Sequence, residues 1–82
     1  MFIRIHDTLV NTNYIHSIHP IMEEKGKWWI IVDYITYVKT YVNKDEVYQK
    51  VIAPRRYHYE TKTIADKQFY YLTYVLAPKT GS

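Results

Sequence analysis

The stretch Lys27-Trp28-Trp29-Ile30-Ile31-Val32-Asp33-Tyr34-Ile35-Thr36-Tyr37-Val38-Lys39-Thr40-Tyr41-Val42 decides how this chain folds. β-Branched and aromatic residues dominate it, and such side chains suit a pleated, half-buried surface. Run straight, sixteen residues would reach about 50 Å at about 3.3 Å each, longer than a small domain is wide. The sequence therefore predicts that the chain doubles back near Asp33–Thr36. Trp28–Val32 is apolar at consecutive positions, so that strand carries large side chains on both faces, whereas a sheet with one wet side alternates.

Downstream, Asn43-Lys44-Asp45-Glu46 reads as a helix start. Asn43 would be the N-cap, Glu46 follows three residues later, and acids in the first turn complement the helix dipole. Val47 and Val51, with Tyr48 and Ile52, make an i, i+4 stripe that Ala53-Pro54 stops. One short helix is expected near residues 44–53. Arg55–Ile64 then alternates, with Tyr57, Tyr59, Thr61 and Thr63 on one side and Arg56, His58, Glu60 and Lys62 on the other. Ala65-Asp66-Lys67-Gln68 reads as a turn and Phe69–Leu76 as a last strand, giving a C-terminal hairpin. Residues 1–77 form one expected domain and residues 78–82 a flexible tail.

Upstream, Phe2-Ile3-Arg4-Ile5-His6 alternates and Asp7-Thr8 turns the chain into Leu9-Val10-Asn11. Tyr14–His19 reads as a strand ended by Pro20, and Met22–Lys27, with Gly26, as a solvated hairpin loop. The expected fold class is α+β: a mainly antiparallel sheet of five to six strands with one short helix. A helix of about ten residues shields only part of such a sheet. Either the sheet closes as a small barrel, or a second copy or a target protein covers the rest.

Composition bounds the function. The 82 residues are 48% hydrophobic and 23% charged, include ten tyrosines and no cysteine, and carry a formal net charge of +3. That is a globular balance without a disulfide framework or thiolate metal site, and a cytoplasmic setting is the expectation. Charged residues interrupt the first apolar stretch, so no targeting signal is read there, and no apolar run approaches the ~20 residues of a membrane helix. Eleven basic residues are scattered among eight acids, which is a weak signal for nucleic acid.

Chemistry-bearing patterns are sparse. His16 and His19 have a spacing suited to metal on a helix but not on a regular strand, and no metal or other cofactor is expected. Ser17 lacks a nucleophile elbow, and Asp7 or Asp33 beside a histidine is the remaining acid–base option, so no catalytic residue is assigned. The best patch is Arg55-Arg56-Tyr57-His58 with Lys62, because arginine and tyrosine anchor interfaces and also hold phosphates and stack bases. The competing reading puts Tyr57 and Tyr59 in the core and leaves Arg56, His58 and Lys62 as a solvated strand face; an exposed Tyr57 would decide for contact. Trp28 and Trp29, adjacent on a strand, point to opposite faces, so one can be core while the other lies under the helix or at an interface as a candidate contact.

The layout of Phe2–Ile52 resembles small bacterial proteins of the flagellar FlbD type. Shared are an opening strand, an Asn-x-x-x-Ile-x-x-Ile segment at Asn11, Ile15 and Ile18, a hairpin and a closing helix. The Arg55–Leu76 hairpin lies outside that layout, and the resemblance implies neither membership nor a functional residue. The favoured expectation is a non-enzymatic binding module with a protein partner, itself a homodimer; a phage or mobile-element accessory protein that inhibits or occludes a host factor is one concrete version. The alternative is nucleic-acid or nucleotide binding through a Tyr/Lys/Arg sheet face.

Overall fold

Lys27–Val42 does not double back. In the computed structural model, which describes residues 1–80 and side chains through Leu76, it is one strand, β5, following β1 (Phe2–Ile5), β2 (Thr8–Asn11), a 3-10 turn at Thr12–Tyr14, β3 (Ile15–Ile18) and β4 (Met22–Glu24). Its partner β6 (Asp45–Tyr59) runs antiparallel without a register break from Val42↔Asp45 to Trp28↔Tyr59. A strand of this length is accommodated because it does not stay inside the globule. Here the molecule measures 51 × 32 × 21 Å with a radius of gyration of 15.3 Å, against about 12 Å for a compact chain of this length. One end of the hairpin projects as a two-stranded ribbon.

The residues expected to form a helix near 44–53 belong to β6. Asn43 and Lys44 have φ of 52° and 72°, so they form a two-residue hairpin turn whose twist matches the strands it joins. Asparagine is favoured both as a helix N-cap and in the left-handed region. The following Val47, Val51 and Ile52 then satisfy an i, i+4 stripe and a strand equally well, and a full-length β5 to pair with selects the strand.

The helix lies instead at the C-terminus, as α1 (Lys62–Thr80). Thr61 caps it, its hydroxyl accepting the Ile64 backbone N–H at 3.2 Å, and Lys62 pairs with Asp66 at 3.0 Å one turn on. Ala65, Leu72 and Leu76 are buried, with Phe69 partly so, the i, i+4, i+7, i+11 spacing of a helix face. The expected Arg55–Leu76 hairpin is thus half strand and half helix. Phe69–Leu76 is apolar at nearly every position, and a continuous run carries no period to separate the two. The helix takes in residues 78–80 of the expected tail; residues 81–82 lie outside the described residues.

The fold is α+β: a four-stranded antiparallel sheet, a two-stranded hairpin and one helix. β6 pairs along one edge of β5, while β4 and β3 share the other edge, at Lys27–Trp29 and Val32–Tyr34. The sheet is open, not a barrel. Strict alternation gives β5–β6 two faces. The front carries Ile30, Val32, Tyr57 and Tyr59, which form the core with Ile3, Ile5 and Ile15 and with Ala65, Leu72 and Leu76 of α1. His6 fastens the β1–β2 hairpin there, its Nε2 donating to the His58 carbonyl at 2.8 Å.

Candidate interaction surface

On the back of β5–β6 the register aligns Trp29 with His58, Ile31 with Arg56, Asp33 with Pro54, Ile35 with Ile52, Tyr37 with Lys50, Lys39 with Tyr48 and Tyr41 with Glu46. Large apolar groups therefore run from the body to the ribbon tip, about 40 Å at 3.3 Å per residue. Tyr37, Tyr41 and Tyr48 are 57%, 66% and 66% exposed, although tyrosines carry enough apolar area that burial is favourable.

Most charges on this face are internally answered; Lys50 makes no ion pair among the described residues. The Arg56 guanidinium lies 4.4 Å from the Trp29 ring centroid and pairs through one nitrogen with Glu24, so it stacks and bonds at once. The His58 ring meets the edge of Trp29 at 5.4 Å. Along the ribbon, Lys39 pairs with Glu46 at 3.0 Å, and the Tyr48 hydroxyl donates to the same carboxylate at 3.0 Å. Beside Trp29 and Arg56 a hollow of about 290 Å³ opens toward Lys25 and Lys27.

The residues singled out in the sequence are split among three places. Trp29, Arg56 and His58 come together on the back face. Trp28 faces front and packs partly buried against the core. Tyr57 is only 6% exposed, which favours the solvated-strand reading of its segment and removes it from the contact set. Its hydroxyl shares a 2.7 Å hydrogen bond with Tyr34, and burial together with that bond holds the Tyr34 phenol well above its ordinary value. Burial, then Tyr57, pushes Tyr59 up to about 12. Arg55 lies over the Tyr57 ring at 5.7 Å, and Lys62 sits at the start of α1, away from the others.

Ser17, His19 and Asp33 do meet. The Ser17 hydroxyl donates to Asp33 at 3.0 Å, and His19 Nε2 bonds the same carboxylate oxygen at 2.8 Å. His16 Nδ1 also meets the Ser17 hydroxyl at 3.3 Å, so the serine bonds the acid directly, whereas a nucleophilic triad has an imidazole between serine and acid. The His19 bond, chiefly, lowers the Asp33 pKa. The arrangement clamps β3 to β5 across the register shift between Ile15 and Ser17. Among the described residues no group of three or more His, Cys, Asp or Glu is placed to hold a metal ion, and no helix is long and apolar enough to cross a membrane. Between β3 and α1 lies an apolar groove of about 480 Å³ lined by Ile15, Ile18, Ile35, Phe69 and Leu76, with polar atoms from His16, Ser17 and Thr73.

Sequence reasoning missed Tyr37, Lys39, Tyr41, Tyr48 and Lys50 as a surface. The available signal was two alternating runs flanking Asn43-Lys44, the pattern of a long hairpin. Compared with known proteins, the chain matches no family model, no curated protein and no solved structure.

Proposed function

We propose that the protein is a non-enzymatic module that binds another protein through the back of its long hairpin, with Trp29, Arg56, His58, Ile52, Tyr37, Tyr41 and Tyr48 as contacts. The observation that carries this reading is the exposed aromatic spine, two of whose neighbouring cations, Lys39 and Arg56, are already paired. An apolar and aromatic centre with a polar rim is the anatomy of protein interfaces, and tryptophan, tyrosine and arginine are their usual anchors. Such a module acts by occupying its partner's surface, so occlusion of a target factor is the mode it fits. Nucleic acid fits less well, because phosphate binding draws on cations free to release counterions: Arg56 and Lys39 are engaged by Glu24 and Glu46, which leaves Lys50 on the face and Lys25 and Lys27 beside its hollow. The same chain is expected to self-associate through a different surface.

The test compares proteins captured from the source cell by the parent and by two folded variants, Arg56→Glu and Tyr41→Lys/Tyr48→Lys. Loss of one specific partner in both, with retention by Lys62→Glu, is the expected result. An unchanged set of captured proteins would remove the back face from the reading. Oligonucleotide binding that weakens steeply with salt would favour the nucleic-acid alternative.

A further inference from the structure

The front of the ribbon is a second unpartnered surface. Beyond the cover given by α1, the alternation that builds the core continues as Thr36, Val38, Thr40 and Val42 on β5, with Val51, Gln49 and Val47 opposite them on β6. Val38, Val42 and Val47 are exposed. A two-stranded ribbon with no third strand and no packing layer is marginal in water. Its front bears no charged side chain until Asp45 at the tip.

The outward side of α1 is the other half of the problem. Tyr70, Tyr71 and Tyr74 project from it with Lys67 between turns, and Tyr70 and Tyr74 are 71% and 82% exposed. A surface helix normally turns polar residues outward, yet this one is aromatic there.

We propose that two copies of the chain pair about a twofold axis, the front of each β5–β6 ribbon lying on the outward tyrosine face of the other copy's α1. The molecule has the outline this requires. The body is two layers thick, sheet plus helix, while the ribbon is a single layer, so the front surface has a step where α1 ends its cover. The ribbon, about 25 Å long at 3.3 Å per residue, is about half of the 51 Å long axis. Two antiparallel copies therefore nest, the ribbon of each filling the step of the other, and every contact occurs twice as closed symmetry demands.

Area and charge agree with this arrangement. Three tyrosines at these exposures offer roughly 400 Å², and the ribbon front offers about as much. Counted over both halves of the twofold, the contact can hide up to roughly 1,600 Å², the standard size of a stable interface. Two ribbons stacked only on each other would hide about half that, in the range of adventitious contacts. Asp45 at the ribbon tip and Lys67 on the helix make no ion pair within the chain, among the described residues, and the nested pair offers each the opposite charge.

The experiment is sedimentation equilibrium on the full chain, with circular dichroism to check folding. The parent is expected to be a dimer. Tyr74→Glu, on a helix face already in water, and Val38→Lys are each expected to weaken it on the order of 30-fold or more, as loss of a central anchor does. Because the chain has no cysteine, Asp45→Cys/Lys67→Cys isolates one contact, and oxidation is expected to link two chains. A monomeric parent at about 100 μM, a dimer untouched by Tyr74→Glu, or chains linked through Val42→Cys alone but not through the 45/67 pair would each overturn the proposal. Arg56→Glu and Tyr41→Lys are expected to leave the dimer intact, so failure here and failure of the back-face reading are separate results.

Discussion

Ile30 and Val38 stand on one strand, on one face, in one unbroken register with β6, yet Ile30 is fully buried and Val38 is exposed. The body half of the hairpin is covered by α1 and the β1–β2 hairpin and flanked by β3 and β4. The ribbon half has only its own second strand among the described residues. The two halves have similar local sequence character, so β-propensity and alternation specify the strand but not the cover. What a face is worth depends on whether another layer reaches it.

The contrast is broken most strongly at Ile30. Ile30→Ala is expected to cost about 2–5 kcal/mol in denaturant unfolding, from lost transfer energy and an unfilled cavity. Val38→Ala in dilute monomer should cost within about 0.5 kcal/mol, as surface changes do. A larger, concentration-dependent cost at Val38 would mark burial by a second copy. If both substitutions cost the same in monomer, the division into body and ribbon is wrong.

Next in size is the helix that makes the cover. Thr61→Ala removes the cap that accepts the Ile64 N–H and should lower stability by about 1 kcal/mol. Hydrogen exchange in dilute monomer should quicken across the body, since α1 and the core strands open together, and remain unchanged in the ribbon, whose amides are expected to be the faster set there. Uniform acceleration would mean the ribbon is held by the body more firmly than its contacts indicate.

At the tip, Lys44 has φ of 72°, and a side chain in that region costs energy that glycine avoids. Lys44→Gly should stabilise by about 0.5 kcal/mol and slow exchange in the ribbon alone. Loss of ribbon protection would contradict the two-residue turn.

The smallest effect concerns the clamp at the body's edge. The Asp33 carboxyl is held below its ordinary value of 3.8, first by the hydrogen bond with His19. A depressed carboxyl contributes stability that is complete above the unfolded value and is lost as pH falls through the lower folded value. Acid titration of stability should show that loss below about pH 4, and Asp33→Asn should flatten it while weakening the protein at neutral pH. An unaltered acid profile in the variant would mean the clamp does not bear on folding.

Much of the strand pattern was legible in the residues. Residue pattern located β1, β2, β3 and the second half of β6 and marked Lys27–Val42 as β, though as a chain that doubles back, and the opposite orientation of Trp28 and Trp29 followed from strand geometry. Asn43 and Phe69–Leu76 misled for a shared reason: both are locally degenerate. Asparagine suits a cap and a left-handed turn, and an unbroken apolar run suits a strand and a buried helix. Of the expected contact residues, Trp29, Arg56 and His58 gather on one face while Tyr57 joins the core, because a strand sends neighbours to opposite sides.

By itself the sequence determined that this chain is a small antiparallel α+β protein with more aromatic surface than one helix can hide, because residue type and a period of two are local properties. The tertiary structure alone decided that β5 runs its full length, that the helix sits at the C-terminus, and that the surplus is gathered on a projecting ribbon and the outer side of α1. Pairing to a strand fifteen residues long and packing of one layer on another are long-range choices, and they resolve the ambiguities that local preference leaves open.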